Sequence, residues 1–269
     1  MKNSFGIENV RLIFAVAGLS RDKQVADIQR FIHDKVDVIA FSPVVETGYD
    51  DVLRQAKAAG IPVILTDRVI KTADPGLYLS SIGSNFTAEG SSAAVWVKGE
   101  FRNSQKPVNI VELEGTAGSA PAVQRKAGFR EGLGDDERFR IVATPNGNFS
   151  RSEGEAAMKT VLKTQHDIDV VFAQNDDMGI GALTAIQAAG KRPGKDIKVV
   201  TIDAIHDGLT ALAEGKINYV VECNPLIGPQ LVALIKDVYL GIRVPRRVDT
   251  DETVFFPENV RDYINDREY

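Results

Sequence analysis

Cysteine is nearly absent from this chain: its 269 residues include one, Cys223. No disulfide can form within it, and cysteine usage says nothing about redox compartment. Histidine is almost as scarce, and His33, His166 and His206 are scattered without ligand spacing, so no zinc site is expected. No segment approaches the ~20 consecutive apolar residues of a membrane span. The first residues show no charged-then-apolar signal pattern, which leaves open a removed signal or a cytoplasmic protein. Positive charge is not in excess: 32 Lys and Arg face 37 Asp and Glu, for a net charge of −5. That balance argues against a nucleic-acid partner. The loop EGTAGSA (114–120) lacks the GxxxxGK[ST] pattern of a phosphate cradle, and Asn175-Asp176-Asp177 lacks the spacing of a calcium loop. No Ser–His arrangement or acid/base pair stands out, so neither an enzyme nor a cofactor is expected, and a catalytic role for Cys223 has no His base to support it.

What the chain has is a pattern used five times. An apolar run ends abruptly in polar residues at VDVIAFSP (36–43), IPVILTDR (61–68), VVFAQNDD (170–177), KVVTIDA (198–204) and NYVVECNP (218–225). Runs rich in Val and Ile with little alternation suit strands covered by helices on both faces. The spacing predicts strands at 10–17, 36–42, 61–66, 77–82, 108–114, 139–144, 169–174, 197–202, 217–222 and 252–256. Helical patterns lie between them at 21–35, 48–59, 86–102, 121–133, 151–164, 177–189, 205–214 and 225–240. Ser20 is a good N-cap for the first, and Trp96, in the apolar stretch SSAAVWVKGEF, reads as core. The cassettes KAAGIPVI and AAGKRPGKDIKVV repeat a helix–Gly–strand logic in each half. Alternating strands and helices over this length imply an α/β protein of two doubly wound parallel-sheet lobes. Ligands of such sheets bind beyond the carboxyl ends of the strands. There the sequence places carboxylates, amides and an Arg, a hydrogen-bonding set for a neutral polyhydroxylated molecule.

The segments FSPVVETGYDDVLRQAKAAGIPVILTDR, VELEGTAGSAPAVQRKAGFREGL, FAQNDDMGIGALTAIQAAGKRPGKDIKVVTID and GKINYVVECNP resemble the type I periplasmic sugar-binding proteins of ABC transporters. The likeness covers nearly the whole chain, through the ribose-binding subgroup and more nearly the galactofuranose-binding proteins. It implies two lobes joined by a three-crossing hinge, with a monosaccharide in the cleft. The lobes are expected at 1–107 plus 225–250 and at 108–224 plus 251–269, the first junction lying in NSQKP (103–107). The resemblance further implies an extracytoplasmic protein that closes on its sugar and delivers it to a membrane permease, without nucleic-acid binding or membrane insertion of its own. The alternative is the effector-binding core of a LacI-type regulator, which shares the fold.

Carried over residue by residue, the resemblance implies that Asp67 and Arg68 are a sugar-binding pair and that Arg125 reaches the sugar from the other lobe. It implies the same for Asn175, with Asp176 better suited to cap the helix that follows. Asp203 matches a second sugar-binding Asp, whose bland reading is the cap of helix 205–214. Phe149 matches a ring that stacks on the apolar face of a sugar. Ser42 lies at a contact position, and Cys223 stands where the ribose subgroup has a hinge Gln. Family members also open with a strand and helix before the strand placed at 10–17. The sequence reading therefore expects ~30 or more residues upstream, and expects the chain without them to bind sugar weakly and to be aggregation-prone.

Overall fold

The computed structural model describes residues 11–269. Helices alternate with strands, and the chain divides into two compact units: the first runs to Ser84 and includes Pro225–Asp251, the second is Asn85–Asn224 with Glu252–Tyr269. The chain therefore passes between the units three times.

In the first unit, strands β1 (Ile39–Phe41), β2 (Val63–Thr66), β3 (Ser80–Gly83) and β9 (Arg247–Asp249) form a sheet in the order β1-β2-β3-β9, with every pairing parallel. Helices α1 (Arg21–His33), α2 (Asp50–Ala58) and α8 (Gly228–Tyr239) cover it. The period-two geometry of a strand is visible in β2. Val63 and Leu65 join a core with Ile28 of α1 and Leu53 of α2, while Ile64 joins a second core with Leu231 and Leu234 of α8. Both faces are buried, which is why the run IPVIL shows no polar alternation.

The second unit holds a six-stranded sheet. Its strands are β4 (Val108–Leu113), β5 (Phe139–Ala143), β6 (Val170–Ala173), β7 (Lys198–Asp203), β8 (Tyr219–Glu222) and β10 (Val254–Phe255), in the order β10-β8-β7-β6-β4-β5. Only the edge strand β10 runs antiparallel, against β8. On one face Val171 and Val199 pack with Met158 of α5 (Arg151–Leu162), Ile186 of α6 (Asp176–Ala188) and Leu209 of α7 (His206–Ala213). On the other, Ile110, Phe172 and Val200 pack with Val97 of α3 (Phe86–Glu100) and Phe129 of α4 (Ala120–Leu133). Phe129 and Phe172 stack at 4.1 Å, and Trp96 stacks on Tyr219 at 5.7 Å.

Three expectations are corrected. Residues 11–17 form no strand: no described strand pairs with them, and Phe14 and Val16 are 73% and 80% exposed. An apolar run with no neighbouring strand to pair with gains nothing from an extended conformation; Val10 lies outside the described residues. The junction placed at 103–107 falls instead after Ser84, because α3 packs closely on α4 and so groups with the second unit. The strand β9 and the short helix α9 (Arg261–Ile264) were not foreseen, since neither carries an apolar run long enough to register. The expected helix starting at Ser20 forms, with Ser20 Oγ accepting from the Lys23 N–H at 3.2 Å.

Two glycines permit the close approach of α3 and α4. A Cβ at Gly90 would lie 2.1 Å from the Arg125 carbonyl oxygen, and one at Gly128 would lie 2.0 Å from that of Thr87. Gly90→Ala should therefore cost ~1–3 kcal/mol through overpacking against backbone. Gly99→Ala, on the same helix with open space around it, should be neutral or stabilising by up to ~1 kcal/mol. Urea unfolding followed by circular dichroism checks both; equal midpoints would contradict the packing.

Candidate functional site

The polar residues singled out in the sequence fall at the carboxyl ends of the parallel strands or on the helices that follow them. In the first unit, Ser42 follows β1, and Asp67 and Arg68 follow β2. Asp67 has φ of 59°, a left-handed conformation that Asp tolerates better than most residues. Its N–H donates to the Ile82 carbonyl at 2.7 Å, and the Arg68 N–H donates back to Thr66 at 2.6 Å. The chain can turn there because position 83 is Gly: a Cβ would lie 2.5 Å from the Asp67 carbonyl oxygen. The turn brings the three expected residues together. Ser42 Oγ donates to Asp67 Oδ2 at 3.3 Å, Arg68 Nε lies 3.6 Å from the same oxygen, and Arg68 Nη1 donates to the Val44 carbonyl at 3.4 Å.

The second unit is organised by Arg125, a guanidinium only 3% exposed. It projects from α4 and donates through Nε to Glu89 Oε2 at 2.6 Å, through Nη1 to the Gln174 carbonyl at 2.5 Å, and through Nη2 to Asp203 Oδ1 at 3.3 Å. The Phe86 ring lies 5.3 Å from its carbon centre. A buried charge needs such partners to offset desolvation, and the carboxylates hold its proton more firmly than usual. Two of the expected residues, Arg125 and Asp203, are thus in direct contact.

Asn175 and Phe149 form another pair. The amide of Asn175 donates to the Phe149 carbonyl at 3.3 Å, while its oxygen accepts from the Met178 N–H at 3.0 Å. Asn175, not Asp176, is therefore the N-cap of α6. Asp176 points inward instead: it is fully buried, accepts from Thr201 Oγ1 at 2.5 Å, and accepts from the Ile205 N–H at 2.8 Å. It ties down the turn in which Asp203 and Ala204 have φ of 123° and 65°. Asp203 does not cap α7; the cap position belongs to Ile205, without a side-chain bond. Phe149 has φ of 60°, and its ring occupies the space a Cβ at Gly115 would take, 1.9 Å from its Cζ. The glycines of 114–120 thus admit a ring beside β4. Cys223 follows β8 and lies close to Arg125 and Glu89.

Sequence reasoning missed Glu89, Gln174 and the inward role of Asp176. Glu89 sits in the first turn of α3, where an acid reads as a helix-dipole residue. Only its 1% exposure marks it as something else. Gln174 precedes Asn175 in the same motif; its Oε1 accepts from the Gly115 N–H at 2.9 Å, so it braces the glycine loop.

Burial pushes the Glu89 carboxyl up to about 7 and the Asp176 carboxyl up to about 8, against 4.5 and 3.8 for the free side chains. Desolvation leads in both cases, opposed at Glu89 by Arg125 and at Asp176 by the Thr201 hydroxyl, while the Asp203 charge adds to the rise at each. The folded state therefore holds protons that the unfolded state releases near pH 4. The contribution of these two groups to stability is full below those unfolded values and is lost as pH rises through the window from about 4 to about 8. Calorimetric unfolding should show a higher midpoint at about pH 5 than at about pH 8, with a smaller difference in Asp176→Asn; a midpoint that rises over this range contradicts the assignment.

Comparison with known proteins places the chain in a family. The model of the periplasmic binding protein domain matches residues 4–241. The galactofuranose-binding protein YtfQ of Escherichia coli is 36% identical over 246 residues, which is 90% of this chain and 77% of that protein. A Mycobacterium smegmatis structure in complex with β-D-fucofuranose is 51% identical, with TM-score 0.95, covering 100% of this chain and 88% of the other. A Shewanella arabinose-transporter binding protein, bound to α- and β-L-arabinofuranose, is 34% identical with TM-score 0.92, covering 99% and 88%. With strand tips that carry amides and carboxylates around a buried arginine, and with these relatives along almost its whole length, the chain belongs to the periplasmic binding protein family.

Proposed function

We propose that this protein binds a monosaccharide in its furanose form outside the cytoplasmic membrane and delivers it to the membrane permease of an ABC transporter. The observation that carries the reading is the Arg125–Asp203 contact, flanked by Asn175 and Phe149, at the strand tips of a chain in this family. Asp203 accepts from sugar hydroxyls, Arg125 donates to hydroxyls or to a ring oxygen, and the Asn175 amide can do both. The Phe149 ring supplies an apolar surface for sugar C–H groups. Ser42, Asp67 and Arg68 are the polar set of the first unit, and Cys223 borders the set of the second. Relatives that bind galactofuranose, fucofuranose and arabinofuranose favour the furanose ring. Relatives named as transport binding proteins also count against the regulator alternative. A bound sugar stabilises whichever conformation it prefers by its differential affinity for it, and the permease would read that conformation. The set supplies hydrogen bonds rather than an acid/base pair, so the reading takes the sugar to leave unchanged.

Thermal-shift measurements with D-galactose, D-fucose, L-arabinose and D-ribose at millimolar concentration test this. At least one of the first three should raise the unfolding midpoint more than ribose does. Arg68→Ala and Asp203→Ala should each weaken that sugar by ~2–4 kcal/mol through loss of a charge-assisted partner, with circular dichroism unchanged. Calorimetry showing near-parental affinity in both variants would remove these residues from the site. Absence of a shift with every sugar would count against the monosaccharide reading itself.

A further inference from the structure

One buried group is left over by the site just described. Glu89 spends Oε2 on Arg125, yet its Oε1 is buried without a hydrogen-bond partner. A buried oxygen left in this way costs free energy unless something supplies a proton or a charge. A carboxylate oxygen of Glu89, the Cys223 Sγ and a carboxylate oxygen of Glu252 all lie within 4.8 Å of one another. The groups that face Glu89 come from every side: Arg125 on α4, Asp203 at the end of β7, Cys223 after β8 and Glu252 before β10. Two carboxylates, Glu89 and Asp203, thus hold one guanidinium, and a third, Glu252, adds its charge beside Glu89. Carboxylates crowded together at low dielectric cannot all ionise freely, and a proton is the smallest remedy.

We infer that Glu89 is the positioning residue for Arg125, and that a proton taken up on its unpaired oxygen, in the cluster it forms with Cys223 and Glu252, regulates how firmly Arg125 is held for the sugar. This deepens the sugar-binding reading and rests on it for its binding arm. With Glu89 ionised, the Nε–Oε2 bond is charge-assisted and the guanidinium is fixed. With Glu89 protonated, that bond loses the acceptor's charge and weakens, and Arg125 gains freedom toward Gln174 and Asp203. The shifted ionisation of Glu89 places the change near neutral pH. Sugar affinity should therefore fall as pH drops through neutrality, the reverse of the trend expected for stability.

The test uses the full chain and two readouts. In the first, calorimetry measures the sugar of the panel that binds best, across pH, in the parent and in Glu89→Gln. The amide oxygen can still accept from Arg125 Nε but does not titrate. The parent should lose affinity several-fold from mildly alkaline to mildly acidic pH, and Glu89→Gln should show a flat profile near the parent's acid-side value. A residue that merely supports the fold would lower affinity without flattening the profile, and that outcome overturns the inference. The second readout needs no sugar. Cys223 is the only cysteine, so its alkylation by iodoacetamide reports on this cluster alone. Loss of the Glu89 charge should favour the thiolate, so Glu89→Gln should react several-fold faster than the parent above neutral pH; equal rates overturn the inference. A faster Glu89→Gln together with no sugar binding would leave the cluster assignment standing and count against the sugar reading. Added cadmium supplies a further check. A thiolate–metal absorption band that Glu89→Gln abolishes would mean that a cation, not a proton, balances the cluster, and would also overturn the inference.

Discussion

The second unit is built around one buried guanidinium. Arg125 cannot stay charged away from water unless several acceptors meet it at once. Glu89 from α3, the Gln174 carbonyl after β6 and Asp203 at the end of β7 meet that demand. Each comes from a different element, so the requirement fixes where those elements end relative to one another. The close helix pair α3–α4, possible only with Gly90 and Gly128 at its contacts, brings Glu89 and Arg125 within reach. The Asp176 carboxyl, anchored by Thr201 and Ile205, holds the turn that turns Asp203 toward Arg125. Removing either carboxylate would leave a buried charge short of a partner, which is costlier than losing a surface pair.

The polar set of the first unit works under looser terms. Asp67 is about half exposed and its contact with Arg68 is 3.6 Å long, so the ion pair contributes little to stability. What holds it is the backbone: a left-handed Asp67 pinned by Ile82 and Thr66, with Gly83 making room. Substitutions at Asp67 or Arg68 should therefore disturb folding less than substitutions at the buried Arg125.

Backbone strain gathers at the same strand tips. Asp67, Asn148, Phe149, Asp203 and Ala204 all have positive φ, a conformation that costs a non-glycine residue on the order of 1–2 kcal/mol. Such residues persist where surrounding contacts over-determine them, and here the contacts are visible. Asn148 donates from its own N–H to Asn146 Oδ1, the Phe149 carbonyl accepts from Asn175, and the turn after Asp203 is tied to Asp176. Strain at the residues proposed to meet the sugar is consistent with a preorganised site.

Much of this was legible in the sequence for a physical reason. Parallel strands buried on both faces must be continuous apolar runs, and the end of such a run is where polar residues can reach a ligand. That logic located Ser42, Asp67, Asn175, Asp203 and Cys223 from the run boundaries alone, while Arg125 and Phe149 needed the family resemblance, because a helical Arg or a loop Phe looks like any other. Local chemistry also determined the Ser20 cap and most element boundaries to within a few residues. Tertiary structure decided the rest. Whether 11–17 forms a strand depends on a neighbour to pair with, and whether Glu89 is a surface acid or a buried partner depends on a helix more than thirty residues away in sequence. Asn175 and Asp176 sit side by side in one motif, and only the packing of β7 against α6 decides which one caps the helix and which one is buried.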